Sequence, residues 1–445
     1  MRVIVVGAGE VGSSIAGSLA EAHEVVVVDI DGDRVESLTY DLDVLAIEGD
    51  GTSLETLREA RVEDADILIA STDDDETNIV SCSTAKTVSD AFTVSRVKKT
   101  SLLRTWENSP GAFGVDFMVS VDLLTAETIV RIAGLPGAQD VDTFADGAVR
   151  MAEFEIAEES PVANQTVQEA DRFESLTFAA ILRNGDVTIP RGDTVIEAGD
   201  QVIVIGSPGS VREFAAALTP APALEDANEV VIVGGGEIGY QTARLFEERG
   251  EKPRLIERDP ERARALAEDL PGTVVLESDA TDMEFLDREH VDEADLVVAT
   301  LDSDERNLLV SLLAKRLGAG RTVAVVQTSD YVDLFETVGV DVAVNPREAT
   351  AEEITRFTRE ERTENIALIE ADRAEVLEIE VDDDSVLAGA TIREAAAEFP
   401  EGVVVGAITR DGHLITPRGD TVVEAGDHVV LFVDTEVLDE VSPLL

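Results

Sequence analysis

Along the first 133 residues, short apolar runs alternate with stretches in which apolar residues recur at helical spacing. The runs at 3–6, 23–29, 44–48, 66–71, 92–97 and 115–121 predict six strands. Helices are predicted at 13–22, 31–41, after Thr52, after Asn78 with Ile79, Val80 and Cys82 inward, and at 123–133, where Leu124, Ile129 and Ile132 share a face. The runs are rich in valine and isoleucine and do not alternate with polar residues, so they read as buried strands.

From residue 138 to 218 the pattern changes. Residues 149–156 alternate, 165–170 form a short helix, a strand at 176–182 turns at Asn184-Gly185-Asp186, and after 189–200 come a strand at 201–205 and a last helix. Residues 219–228, Thr-Pro-Ala-Pro-Ala-Leu-Glu-Asp-Ala-Asn, read as a linker. The whole pattern then returns: Val-Val-Ile-Val-Gly-Gly-Gly-Glu-Ile-Gly at 230–239 repeats Val-Ile-Val-Val-Gly-Ala-Gly-Glu-Val-Gly at 3–12, displaced by 227 residues. Pro-Arg-Gly-Asp-Thr at 190–194 returns at 417–421, and Glu-Ala-Gly-Asp at 197–200 returns at 424–427. The expected fold class is α/β, with two Rossmann-like doubly wound parallel-sheet domains (1–137 and 229–366), each followed by a small α+β domain (138–218 and 367–445). Each unit is long enough to hold its own core, unlike a solenoid repeat, and one chain is equivalent to a covalent dimer.

Charge changes the picture of where such a protein works. With 93 Asp+Glu against 35 Lys+Arg the formal net charge is −58, yet 44% of residues are hydrophobic, so the acids are spread over a folded chain. Self-repulsion of that size is tolerable where molar salt shortens the Debye length to about 3 Å, which points to a salt-rich cytoplasm such as a halophile's. Lysine occurs only at Lys86, Lys98, Lys99, Lys252 and Lys315. Nucleic-acid binding is disfavoured, because counterion release needs a basic face. Cys82 is the sole cysteine and excludes an intramolecular disulfide or a Cys-based metal cluster; it reads as a small core residue. No apolar run reaches the roughly 18 residues of a spanning helix, so the expectation is a cytoplasmic protein without direct membrane insertion and with no metal site.

The chemistry sits at the strand ends. Gly7 permits a tight turn, Gly9 lets a backbone approach a pyrophosphate, Gly12 lets helix and strand pack, and the helix N-terminus attracts the anion. Asp29 stands 20 residues beyond Gly9, where such a fold places the acid that binds adenine ribose hydroxyls, and it argues against a 2′-phosphate. Gly49-Asp50-Gly51-Thr52 is read as a loop closing on adenosine, although Asp50 also suits plain turn chemistry. Arg96, near the end of the fifth strand, suits either a ligand phosphate or an acid partner. In the second copy Glu257 answers Asp29, and 278–281 and 300–307 answer the later loops.

The ordered set Gly7-Ala-Gly-Glu-Val-Gly12, Gly49-Asp-Gly-Thr52, Asp75-Glu-Thr-Asn78, the acids Asp29 and Glu257 and the paired C-domain strings resembles the regulator-of-potassium-conductance architecture. Its double copy in one chain resembles the regulatory subunits of Trk potassium uptake systems, over essentially the whole length. The resemblance implies NAD(H) or ATP/ADP as ligands of the large domains, and a ring-like homo-oligomer beneath a membrane potassium-translocating subunit, at the inner face of the cell membrane. The residues it carries over are Gly7, Ala8, Gly9, Glu10, Val11, Gly12, Asp29, Asp50, Gly51, Thr72, Asp73 and Arg96 in the first copy. In the second they are Gly234, Gly235, Gly236, Glu237, Ile238, Gly239, Glu257, Asp279, Ala280, Leu301 and Asp302. One departure is that Arg96 aligns with Val325, while Arg306 replaces Thr77 and Arg258 stands beside Glu257.

The rival class is an NAD-dependent oxidoreductase, which needs an acid/base and a substrate clamp. His23, His290, His413 and His428 are far apart in sequence and none recurs in both copies, so the expectation is a regulator and not an enzyme, with no catalytic residue. A scaffold with degenerate nucleotide sites is the third reading.

Overall fold

The computed structural model describes residues 1–20, 23–42, 44–109, 111–135, 137–183, 186–218, 229–359, 365–369, 374–383, 385–410, 412–441 and 444–445. The predicted linker 219–228 and the turn residues Asn184 and Gly185 lie outside the described residues.

The described residues form four sheets in order. The first holds β1 (Arg2–Val6), β2 (Glu24–Asp29), β3 (Leu45–Glu48), β4 (Ile67–Ala70), β5 (Phe92–Val97) and β6 (Phe117–Ser120), all parallel in the order β3-β2-β1-β4-β5-β6. This is the doubly wound order, with its switch point between β1 and β4. The second is antiparallel: β7 (Ala138–Phe144), β8 (Val149–Glu155), β9 (Leu176–Arg183), β10 (Asp186–Thr188) and β11 (Gln201–Gly206), in the order β10-β9-β11-β8-β7. The third repeats the first, with β12 (Val230–Val233), β13 (Arg254–Glu257), β14 (Val274–Glu277), β15 (Leu296–Ala299), β16 (Arg321–Val325) and β17 (Val342–Val344) in the order β14-β13-β12-β15-β16-β17. The fourth repeats the second: β18 (Asn365–Ile369), β19 (Ala374–Glu380), β20 (Val403–Arg410), β21 (His413–Ile415) and β22 (His428–Asp434) are ordered β18-β19-β22-β20-β21. The boundary expected between 366 and 367 falls inside β18, which pairs with β19 and so belongs to the small sheet.

Like packs with like. One compact unit joins Met1–Val130 with Ala227–Thr355, and the other joins Arg131–Asp226 with Arg356–Leu445. In the first unit the central apolar runs are buried on both faces, as their lack of alternation predicts, with Val3, Ile4, Val5, Val25, Val26, Val27 and Val28 at most 2% exposed, whereas the edge strands β3 and β14 leave Leu45 and Val274 exposed. The helix Asp75–Ala85 differs from expectation, because Val80 faces solvent while Asp75, Asn78, Ser81, Cys82 and Ala85 are buried. Its inward stripe follows helical spacing but is made of small and polar residues, which an apolar pattern does not reveal. The Cys82 thiol donates to the Val94 carbonyl at 3.4 Å, and burial pushes its pKa up, so it stays a protonated core group.

In the second unit, the face of the first small sheet carrying Met151, Ala180, Ile203 and Ile205 packs on the face of its repeat carrying Val376, Ala407, Val430 and Phe432. Gly406 makes the approach possible, since a Cβ there would lie 2.6 Å from Ile205. The repeated strings are structural here. Arg183 donates Nε and Nη2 to the two oxygens of buried Asp200 at 2.6 and 2.7 Å and Nη1 to Glu197 at 2.9 Å, while Arg410 holds Asp427 and Glu424 in the same way. Thr194 and Thr421 hydroxyl oxygens accept from the amides of Arg191 and Arg418, closing the Pro-Arg-Gly-Asp-Thr turns.

Candidate functional site

The first glycine loop leaves β1 at the switch point. Gly7 has φ +107°, a left-handed conformation that disfavours other residues, and its amide donates to the Val28 carbonyl at 2.8 Å, tying the loop to β2. The helix Glu10–Ala20 follows at once. Asp29, 9% exposed at the end of β2, accepts the amide of Ala8 through Oδ2 at 2.5 Å and that of Asp31 through Oδ1 at 2.8 Å. The carboxylate therefore already organises the loop, and each oxygen keeps lone-pair capacity for a ligand hydroxyl. Asp50 combines both of its sequence readings. It lines the cavity, and its Oδ1 accepts the Thr52 amide at 2.9 Å and hydroxyl at 2.7 Å, bonds that hold its pKa below the ordinary carboxylate value.

The Asp-Glu-Thr-Asn motif positions the loops after β4 and β5. Buried Asn78 accepts the Thr72 amide at 2.9 Å and donates to the carbonyls of Thr72 and Arg96, both at 2.9 Å. Asp75, 5% exposed, accepts the amides of Lys98 and Lys99 at 2.8 and 2.9 Å. The second copy does the same with Asn307, on Leu301 and Val325, and with Asp304, on the amides of Gln327 and Thr328. The motif is thus a brace that holds the site, a role its residue types alone did not give.

Gly7, Ala8, Gly9, Glu10, Val11, Asp29, Asp50, Gly51, Thr72, Asp73 and Arg96 line one cavity of about 740 Å³, within the range of small-molecule sites. Gly12 lies beneath it, against the Gly7 carbonyl. Sequence reasoning missed two cations in the lining, Arg34 and Arg347. Around the second loop the cavity is about 270 Å³ and is lined by Gly234, Gly235, Gly236, Glu257, Ala280, Leu301 and Asp302. Glu257 accepts the amides of Gly235 and Asp259 at 2.8 and 2.7 Å, as Asp29 does in the first copy. Glu237, Ile238, Gly239 and Asp279 lie outside that lining. Asp279 pairs with Arg258 and Arg306, each 3.8 Å away, and Arg262 donates to the Gly235 carbonyl at 2.7 Å.

The TrkA-N domain family matches residues 3–120 and 230–346, and the TrkA-C domain family matches 151–219 and 376–445. The chain belongs to the TrkA family. The Trk system potassium uptake protein TrkA homolog 1 of Methanosarcina mazei is 36% identical over 450 residues, 99% of each chain. The homolog of Archaeoglobus fulgidus is 36% identical over 444 residues, 100% of each, and the TrkA of Halomonas elongata is 34% identical over 443 residues, 97% of this chain and 96% of its own. Among solved structures, the GsuK RCK domain superposes with a TM-score of 0.60 at 21% identity, covering 99% of this chain and 94% of that one. The GsuK channel bound to NAD superposes with a TM-score of 0.60 at 20% identity, covering 99% and 78%. These likenesses establish the RCK fold.

In this TrkA-family chain the two large domains meet asymmetrically within their unit. Arg347, at the start of the helix Pro346–Arg359, pairs with Glu10 of the first glycine loop and donates to the Gln327 carbonyl at 2.8 Å. At the equivalent start of the helix Val121–Ala133 stands Asp122, whose charged neighbour is Glu237 of the second loop. Glu237 is held by the Thr100 hydroxyl at 2.9 Å and the Gln241 amide at 2.7 Å. Burial, and then the Glu237 charge, push the Asp122 pKa from 3.8 up to about 6, with Lys98 and Arg96 opposing. The folded state therefore holds this proton more tightly than the unfolded chain, and the contribution to stability is full below the unfolded value and lost as pH rises through about 6. Asp122→Asn is expected to stabilise the first unit at pH 7.5 by at most about 2 kcal/mol and to leave it unchanged near pH 4. Melting curves of both proteins at the two pH values check this; equal differences at both would remove the titration.

Proposed function

We propose that the chain is the nucleotide-binding regulatory subunit of a potassium uptake transporter, with NAD(H) or ATP/ADP bound in the first large domain. The observation that carries this reading is the 740 Å³ cavity at the switch point, where the glycine loop, Asp29 and Arg96 converge. Membership of the TrkA family supports the regulatory role, and the shared fold of the NAD-bound GsuK channel supports the ligand class. Ligand at the strand ends orders the loops braced by Asn78 and Asp75 and shifts the balance between assembly states. Differential affinity of about 1 to 3 kcal/mol gives a 5- to 150-fold effect. The subunit works as a ring-like homo-oligomer at the inner face of the cell membrane, joined to it through a potassium-translocating partner. No described helix is long and apolar enough to cross a membrane.

None of the four histidines lines either cavity, which favours regulation over hydride transfer. Calorimetry of the full chain with ATP, ADP, NAD and NADH in molar KCl is expected to show saturable binding of at least one of them. Failure of all four to bind sinks the ligand-gated account, and oxidation of bound NADH by a small carbonyl substrate would revive the oxidoreductase.

A further inference from the structure

Two cations of the second cavity have no counterpart in the first. Arg258 stands next to Glu257 at the end of β13, where the first copy has Ile30 beside Asp29, and Arg306 stands where the first copy has Thr77. With Arg262 they bring three arginines to the lining of a cavity of about 270 Å³, against the two acids Glu257 and Asp302. The first cavity, of about 740 Å³, also carries three arginines, but they face Glu10, Asp29, Asp50, Asp73 and Asp74. In a chain with a formal net charge of −58, the smaller lining is the positive one.

Local structure does not call for this charge. Arg262 and Arg306 each stand third in a helix, in Pro260–Asp269 and Asp304–Leu317, where the macrodipole opposes a cation and favours an anion. Arg258 and Arg306 approach Asp279 only to 3.8 Å, too far for a hydrogen bond. Asp279 is already satisfied through Oδ1 by the Thr281 amide at 3.0 Å and hydroxyl at 2.8 Å, as Asp50 is by Thr52 in the first copy. Glu257 turns its carboxylate to the glycine loop, with its two oxygens accepting the amides of Gly235 and Asp259 at 2.8 and 2.7 Å. Arg262 is held on the Gly235 carbonyl at 2.7 Å, which leaves Arg258 and Arg306 to turn to a ligand. Like charges gathered around so small a space raise each other's cost until an anion enters.

The place of the charge names the anion. Glu257 ends the strand at which a dinucleotide fold meets the adenine ribose, and an arginine beside that position is the group that accommodates a phosphate on the ribose. We propose that the second cavity binds an adenine nucleotide with a phosphomonoester on its ribose, 2′ as in NADP(H) or 3′ as in coenzyme A, and that Arg258 and Arg306 hold that phosphate. The cavity falls just under the usual volume of small-molecule sites, so it takes the adenosine end of the ligand and leaves the rest outside. The inference rests on the glycine loops being nucleotide sites and goes beyond the proposed function, which puts its ligand in the first cavity. There Asp29 and the apolar Ile30 suit an unphosphorylated ribose, so one chain reads two classes of ligand.

The test is calorimetry of the full chain in molar KCl with NAD, ATP, NADP and coenzyme A, for the wild type, Arg258→Gln and Arg306→Gln. Either NADP or coenzyme A is expected to bind the wild type at a single site per chain, and the matching adenosine bisphosphate, 2′,5′ or 3′,5′, to compete for it; the one that competes identifies the source of the phosphate. Each variant is expected to weaken that ligand by about tenfold, the loss of a charge-assisted contact, and to leave NAD and ATP within about threefold. The two side chains are 64% and 34% exposed, so both variants should melt like the wild type, and Arg258→Lys, which keeps the charge, should recover part of the affinity. An equal loss for NAD and for the ribose-phosphorylated ligand overturns the proposal, as does wild-type affinity in both variants. Binding of NAD or ATP with neither NADP nor coenzyme A overturns it too, and leaves the functional reading standing. Binding of NADP or coenzyme A without any of NAD, NADH, ATP or ADP does the reverse.

Discussion

Replacing Asp29 by alanine is expected to weaken adenine-nucleotide binding at the first cavity by about 10- to 100-fold while the chain stays folded. The affinity term follows from removing a charged acceptor that, in the proposed function, binds two ribose hydroxyls, worth about 1.5 to 3 kcal/mol. The stability term comes from the loop: Asp29 accepts the amides of Ala8 and Asp31 at 2.5 and 2.8 Å, and alanine leaves both donors to find water. That costs about 1 to 3 kcal/mol, within the margin of an ordinary domain. Asp29→Asn keeps one acceptor oxygen and should fall between the two. Calorimetry paired with a circular-dichroism melt separates the effects, and wild-type affinity in the alanine variant would take Asp29 out of the site. Because Glu257 binds its own loop in the same way, Glu257→Ala serves as the matched control and should leave the first cavity unaffected.

What was legible in the sequence was whatever depends on local backbone chemistry. A glycine at positive φ, an acid at the next strand end and a run of valines buried on both faces are each dictated within about ten residues. The duplication also shows every such feature twice. What was illegible depends on distance or on small residues. Arg347 meets Glu10 across 337 positions, and no spacing rule joins them. The strand β7 and the helix Thr100–Glu107 carry mixed patterns and gave no run to read. The inward stripe of Asp75–Ala85 is polar because it braces loops, so hydrophobic periodicity pointed at Val80. The strings Pro-Arg-Gly-Asp-Thr and Glu-Ala-Gly-Asp were visible as repeats, but their reason, a bidentate arginine on a buried acid, required β9 and β20 to supply Arg183 and Arg410.

The repeat also explains why the two cavities differ in size and charge. Duplication supplies equal loops, and the braces Asn78 and Asn307 preserve their geometry. Divergence then acts on the lining: Thr77 becomes Arg306, Arg96 becomes Val325, and the crossing positions become Asp122 and Arg347. Val325 and the Asp122/Arg347 difference place positive charge at the first site and not the second, whereas Arg306 adds a cation to the second cavity.

Gly12→Ala should be the most damaging single methyl in the first half. A Cβ there would lie 1.8 Å from the Gly7 carbonyl oxygen and 2.9 Å from both the Gly7 carbonyl carbon and the Ser71 hydroxyl. None of these gives way easily, because Gly7 is held at φ +107° with its amide on Val28, and Ser71 is 2% exposed. The helix Glu10–Ala20 must move off the sheet, at about 3 kcal/mol or more, and the glycine loop proposed to hold the ligand's phosphates moves with it. The expected result is a lower melting temperature, faster hydrogen exchange over residues 3–28 but not 230–257, and no measurable nucleotide binding at the first cavity. Gly9→Ala is the informative contrast. Its Cβ would meet only the Arg34 side chain, 3.7 Å away, so the fold should be spared while the added methyl blocks close approach of a phosphate. Normal melting with weakened binding for Gly9→Ala, beside collapse of both for Gly12→Ala, separates the glycine that admits the ligand from the glycine that admits the helix. Wild-type melting and affinity in Gly12→Ala would mean that the loop shifts freely, and the packing account of this position would be wrong.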